Sequence, residues 1–195
     1  MKSTKVLVPS GVLGLGFELK ALNSGIKKKP DIIAIDGGST DSGPYSLGSG
    51  SSKYSRAAVK AEWKILMEAR EKANIPLIIG SSGTCGTDGM VDWMEEITIE
   101  LAKELDQNLK IAKLYCEQQK DYIKTNYKNN KISSLNPAPY LDINLIDDMT
   151  HIVALAGAEQ IQKCLETGAD IILAGRTTDT AIISALPLMK GQDPG

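Results

Sequence analysis

Four short apolar runs recur along the chain: Val6-Leu7-Val8, Ile32-Ile33-Ala34-Ile35, Pro76-Leu77-Ile78-Ile79 and Ile171-Ile172-Leu173-Ala174. They are continuous where a half-exposed strand would alternate, and such runs fit strands buried on both faces, as in a parallel sheet. A fifth run, Lys110-Ile111-Ala112-Lys113-Leu114-Tyr115, alternates and belongs nearer an edge. Between the runs the apolar period becomes helical. From Arg56 to Ala73 the positions Ala58, Ala61, Ile65, Leu66 and Ala69 fall on one stripe, with Ser55 as N-cap and Lys60, Lys64, Glu68 and Lys72 pointing away. Met90 to Leu105 repeats the pattern, and so does Ala158 to Thr167 before Gly168, which stands where a C-terminal cap is wanted. This alternation predicts an α/β fold: a predominantly parallel sheet flanked by helices, Rossmann-like, with part of an α/β barrel as the alternative. The Asn-, Ser- and Pro-rich stretch from Tyr127 to Asp142 reads as a loop between two halves, a surface excursion or a hinge.

A length of 195 residues suits one domain with a real core, so residues 1–195 are expected to form a single α/β domain. With 22 Lys and Arg against 24 Asp and Glu, the net charge of −2 gives no electrostatic footprint for nucleic acid or an anionic membrane. Lys27-Lys28-Lys29, the single basic run, complements the dipole at the end of a helix. Pro9, Ser10 and three nearby glycines interrupt the N-terminal apolar residues, so no signal-peptide core or membrane span forms there and a cytoplasmic location is expected. Cys85, Cys116 and Cys164 are widely spaced without a CxxC pair, which predicts free thiols and no structural zinc. His151 is the single histidine, which excludes multi-histidine metal centres, and neither haem nor flavin is expected.

The strand exits carry the candidate chemistry. They read IDGGSTD from Ile35, IIGSSGTCGTD from Ile78 and LAGRTTD from Leu173. In open parallel sheets ligands bind beyond the carboxyl ends of the strands. Close packing of these strands would gather Asp36, Asp41, Asp88, Arg176 and Asp179 with several hydroxyls around one concavity. Gly37, Gly38, Ser39 and Thr40 belong to the first exit and Gly80, Ser81, Ser82 and Gly83 to the second, where backbone N–H groups can approach a phosphate or carboxylate. Asp36 and Asp41, across the Gly-Gly turn, read as an acid and a base or as oxygen ligands for Mg²⁺; the plainer reading makes them turn caps. Arg176 after a buried strand calls for a partner, either a substrate carboxylate or phosphate, or Asp179 or Asp36. Cys85 is a nucleophile candidate at a helix N-terminus, and His151 a local hydrogen-bonding group or a base. Tyr45 follows Gly43-Pro44 as a lid residue or as loop packing.

The block Asp36-Gly37-Gly38-Ser39-Thr40-Asp41-Ser42-Gly43-Pro44-Tyr45-Ser46-Leu47-Gly48-Ser49-Gly50, followed by Ser55-Arg56-Ala57-Ala58-Val59-Lys60, resembles the N-terminal part of the acyclic terpene utilisation (AtuA-like) family. Pro76 to Ser81, Leu173-Ala174-Gly175-Arg176 and the terminal Gly191-Gln192-Asp193-Pro194-Gly195 look like that family too. The chain departs from the family's pattern at Ser42, where Pro is typical, and at Gly83-Thr84-Cys85-Gly86, where a GGAG-like loop is usual. Family members are much longer, so the resemblance is to an N-terminal portion, with the remainder a separate subunit or missing. It implies a setting in the breakdown of branched acids as CoA thioesters. One expectation is therefore an enzyme, or a subunit of one, acting on a small carboxylate or acyl-CoA by lyase, hydratase or isomerase chemistry. In that reading Asp36 or Asp41 moves a proton, while Arg176, the 80–86 loop and the flanking Ser39, Thr40, Tyr45 and Asp179 hold the substrate. The alternative is a non-catalytic subunit that binds acyl-CoA or a nucleotide and docks a partner chain. Either way a second chain or a homo-oligomer is expected.

Overall fold

A computed structural model of the chain describes residues 3–39, 41, 43–137 and 142–193. In chain order its elements are β1 (Val6–Leu7), α1 (Leu19–Lys27), β2 (Ile32–Asp36), α2 (Tyr45–Ser49), α3 (Arg56–Ala73), β3 (Leu77–Gly80) and α4 (Asp88–Glu104). There follow β4 (Ile111–Leu114), α5 (Lys120–Lys128), α6 (Leu145–Asp148), α7 (Ala158–Glu166), β5 (Ile171–Ala174) and α8 (Ala181–Met189). All five apolar runs are strands of one parallel sheet in the order β1-β2-β3-β5-β4. The continuous runs are buried along their length in β2, β3 and β5, while alternating β4 lies at the edge with Lys113 exposed.

Because side chains alternate across a strand, the sheet has two apolar faces. Ile33, Ile35, Leu77, Ile79, Ile171 and Leu173 pack against α1, α3 and α4, joined by Leu22, Trp63, Leu66, Met67, Met94 and Leu101. Ile32, Ala34, Ile78, Ile172 and Ala174 pack against α7 and α8 through Ile161, Ile182 and Ala185. The chain advances from β1 to β4 with helices on one face and turns back to β5 with α7 on the other, as a fixed crossover hand requires. Adjacent β3 and β5 therefore send their exits to opposite faces, β3 to α4 and β5 to α8. In open parallel sheets such a divergence at the carboxyl ends is where ligands bind.

The helix from Arg56 to Ala73 forms with Ser55 as its cap, the Ser55 hydroxyl accepting the Ala58 amide at 3.2 Å. Its buried stripe is rotated from the expected one: Val59, Trp63, Leu66, Met67 and Arg70 face inward, Ile65 and Ala69 are half-buried, and Ala61 is exposed. The large side chains Trp63 and Met67 remove more apolar area from water than alanines do, and they decide the rotation. Arg70 is 4 % exposed; its guanidinium reaches Asp170 at 2.9 Å, Glu71 at 2.7 Å and the Ile75 carbonyl at 3.0 Å, fastening α3 to the start of β5. The trio Lys27-Lys28-Lys29 closes α1, with Lys27 in its last turn. In the stretch from Tyr127, α5 runs on to Lys128 and residues 129–137 are irregular.

Candidate functional site

The exits of β2, β3 and β5 are knitted together by main-chain bonds. Gly37 N donates to Gly80 O at 2.7 Å, Ser81 N to Gly175 O at 2.9 Å and Ser82 N to Ala174 O at 3.0 Å. So close an approach demands glycine at two places. A Cβ on Gly37 would lie 2.5 Å from Ser81 O, and one on Gly86, whose φ is +66°, would lie 2.4 Å from the Arg176 amide nitrogen. Two non-glycine residues of the same buried loop, Ser81 (φ 47°) and Thr84 (φ 73°), also occupy the left-handed region. Backbone held there by its surroundings costs on the order of 1 kcal/mol per residue and gathers at functional sites.

Asp36 ends β2 and is 9 % exposed. One carboxyl oxygen accepts the Gly38 amide at 3.2 Å. Burial raises the Asp36 carboxyl from its ordinary 3.8 to about 7. The Gly38 amide and, more weakly, the Arg176 guanidinium draw it down, while a hydrogen-bonded neighbour, the Asp179 carboxyl, pushes it further up. Two carboxyls in such contact share a proton rather than ionise together. Asp36 thus holds a proton near neutrality, with the exposed Asp179 carboxyl and the Arg176 guanidinium as its charged neighbours.

Arg176, half-buried, points one nitrogen at Ser81 Oγ (3.4 Å) and at Thr84 O (3.5 Å). Ser81 Oγ also donates to Thr177 O and accepts Thr177 N, so this hydroxyl joins the β3 and β5 exits. Thr177, 2 % exposed, is a member of the site that residue type alone did not single out. Ser82 Oγ is buried and makes no hydrogen bond. The amides of Ser81, Ser82, Cys85 and Gly86 are taken by carbonyls of the protein. Gly83 sits beneath Met90, where a Cβ would meet the sulfur at 2.4 Å.

Not every expected residue gathers there. Exposed Asp41, its amide held by Ser39 Oγ at 3.1 Å, lines a separate cavity of about 320 Å³ with Val12, Ser39, Lys53 and Tyr54. Asp88 is drawn to the β4 exit, because one of its carboxylate oxygens accepts the amides of Cys116 and Glu117 at 2.9 and 3.0 Å. Thr40 lies outside the described residues. Tyr45, at 78 % exposure, does not pack the loop down. Cys85 is wholly buried among core residues, which removes it as an accessible nucleophile. Burial, aided by Asp88, pushes the Cys116 thiol up to about 11, and burial raises Cys164 as well.

His151 takes a partner that its sequence neighbourhood does not disclose. Its Nδ1 lies 2.6 Å from Glu117 Oε1, while Glu117 Oε2 accepts the Asp88 amide at 2.9 Å. Among the described residues, no group of three or more His, Cys, Asp or Glu side chains is placed to hold a metal ion, and no helix is long and apolar enough to cross a membrane.

No curated protein and no solved structure matches this chain. A family model described as "Acyclic terpene utilisation family protein AtuA" matches residues 34–190, a span that runs from the middle of β2 to the end of α8 and includes Asp36, the 80–86 loop, Arg176 and Asp179. By that match over most of its length, the chain belongs to the acyclic terpene utilisation family.

Proposed function

We propose that this chain is an enzyme, or the pocket-bearing part of one, that moves a proton on a small carboxylate or acyl-CoA in the cytoplasmic breakdown of branched acids. The observation that supports this reading is buried Asp36, its carboxyl pushed up to about 7, beside Asp179 and Arg176 at the switch between β3 and β5. A group with a pKa near the working pH serves equally as proton acceptor and donor. Ionised Asp36 takes the proton from the carbon next to a thioester or carboxylate carbonyl. The electron pair left behind moves onto the carbonyl oxygen, where the Arg176 guanidinium balances the developing charge. Return of the proton to another position completes an isomerisation; departure of a β-substituent completes a lyase or dehydratase step. Ser82 Oγ, buried without a partner, is the hydroxyl best placed to gain a bond from a ligand.

A second chain, or a second copy, belongs to the proposal. Helix α8 carries no charged residue from Ala181 to Met189, and it leaves Ile183 and Met189 exposed at 40 % and 45 %. Helices apolar on all sides are ordinarily covered.

Thermal unfolding against short branched acyl-CoAs, free dicarboxylates and nucleotides, each with and without Mg²⁺, tests the pocket. A ligand at about a hundred times its Kd stabilises the fold by about 2.7 kcal/mol. The expected result is a shift with acyl-CoAs or carboxylates that Arg176→Ala abolishes, and turnover that Asp36→Asn abolishes. Turnover surviving in Asp36→Asn would favour the non-catalytic binding subunit. Absence of any shift would mean that this chain alone has no competent pocket.

A further inference from the structure

We propose that residues 43–52, with α2 at their centre, form a lid over the carboxyl ends of β3 and β5, and that His151, set in place by Glu117, is its latch. The path of the chain carries the first half of the inference. Leaving β2, Gly38 lies against Thr84 in the β3 exit, a Cβ there falling 2.9 Å from Thr84 Cα. Farther along, Thr150 Oγ1 donates to Gly48 O at 2.9 Å, and Gly50 abuts the His151 ring beside Glu117, beyond the end of β4. The chain then returns, and Lys53 N donates to Thr84 Oγ1 at 3.1 Å. Since β3 and β5 separate β2 from β4 in the sheet, the segment crosses both exits.

Its attachments are few and polar. Neither Tyr45 nor Leu47 joins an apolar cluster, and Ser46 is the one buried residue of the segment. A segment without apolar anchors opens at low local cost. The latch, by contrast, is fixed on rigid structure. Both Glu117 oxygens are engaged, Oε1 by His151 Nδ1 and Oε2 by the Asp88 amide at the start of α4. Asp88 in turn holds the Cys116 and Glu117 amides, while Gln118 N reaches Ile152 O at 2.8 Å and Ala154 N reaches Cys116 O at 2.8 Å. The carboxylate orients the imidazole by accepting Nδ1–H, which aims Nε2 at Gly50. At φ +62° Gly50 admits that approach, where a Cβ would come within 2.6 Å of Nε2.

What the lid covers rests on the acid–base reading of Asp36, but its opening is measurable without a ligand. Hydrogen–deuterium exchange of the full chain, read by mass spectrometry on peptides spanning 43–52, tests it. His151→Ala removes the ring against which Gly50 rests and is expected to speed exchange there several-fold, with β3, β5 and α4 unchanged. Glu117→Gln, which keeps an acceptor for Nδ1–H, is expected to fall between wild type and His151→Ala. Gly50→Ala, which leaves the Glu117–His151 pair whole, is expected to match His151→Ala, and it carries the test should that variant fail to fold. Unchanged exchange over 43–52 in these variants would overturn the proposal. So would acceleration spreading equally into β3 and α4, which would make His151 a general support of the fold. Either failure leaves the proton-transfer reading intact, and a failed ligand panel leaves the latch intact.

Discussion

Replacing Asp36 with Asn isolates the unusual carboxyl, and its effect on stability follows from linkage. In the fold this group titrates at about 7 against its ordinary 3.8, chiefly because it is buried. Between those two values the native state binds more protons than the unfolded chain, so native stability falls as pH rises, by about 1.4 kcal/mol per pH unit. The contribution is fully present below pH 4 and is lost by about pH 7, for a total of about 4 kcal/mol at most. Asn cannot ionise, yet its amide still donates to Asp179. Asp36→Asn should therefore equal wild type within about 1 kcal/mol at pH 4 and exceed it by about 2 to 4 kcal/mol at pH 8. Urea unfolding of both proteins at a series of pH values reads the difference directly, since titrating groups remote from Asp36 cancel. A difference that stays flat with pH, or that favours wild type at pH 8, would refute the claim that burial makes Asp36 a neutral-pH acid.

Two further predictions concern the frame that holds the site. Gly86→Ala forces a Cβ to within 2.4 Å of the Arg176 amide at φ +66°; a loss of about 3 kcal/mol or more in urea unfolding is expected, whereas Gly48→Ala, in open helical space, should cost nothing or stabilise by roughly 0.5 kcal/mol. Thr98→Val preserves shape but removes the acceptor of the buried Trp63 indole N–H, now 2.9 Å away, and should cost about 1 to 3 kcal/mol, measured by the same unfolding followed through tryptophan fluorescence.

How much of this was legible in the sequence differs by element. The buried strands announce themselves because a strand covered on both faces has no polar alternation to blur it, and Lys113 marks β4 as an edge for the opposite reason. Asp36, Arg176 and Asp179 were legible as site candidates because polar residues placed directly after buried strands must collect at the carboxyl ends of a parallel sheet. Strand order was not legible: β5 sits between β3 and β4 through contacts far apart in sequence. For the same reason the Glu117–His151 pair, 34 residues apart, and the diversion of Asp88 to the β4 exit leave no local signal. Helix α8 leaves no clear signal because its residues are almost all apolar and include Pro187, so no stripe stands out. The rotation of α3 is not legible because alanines count as apolar positions while contributing little buried area.

The central claim is that Asp36, beside Asp179 and Arg176, carries a proton near neutral pH. It is tested most directly by following the Asp36 side-chain carbon by NMR from pH 4 to pH 9, with Asp36→Asn to assign the signal. A midpoint near 7 that drops when Asp179 is replaced by Asn is the predicted result. A midpoint near 4, unmoved by Asp179→Asn, would contradict it and leave these strand exits a structural junction.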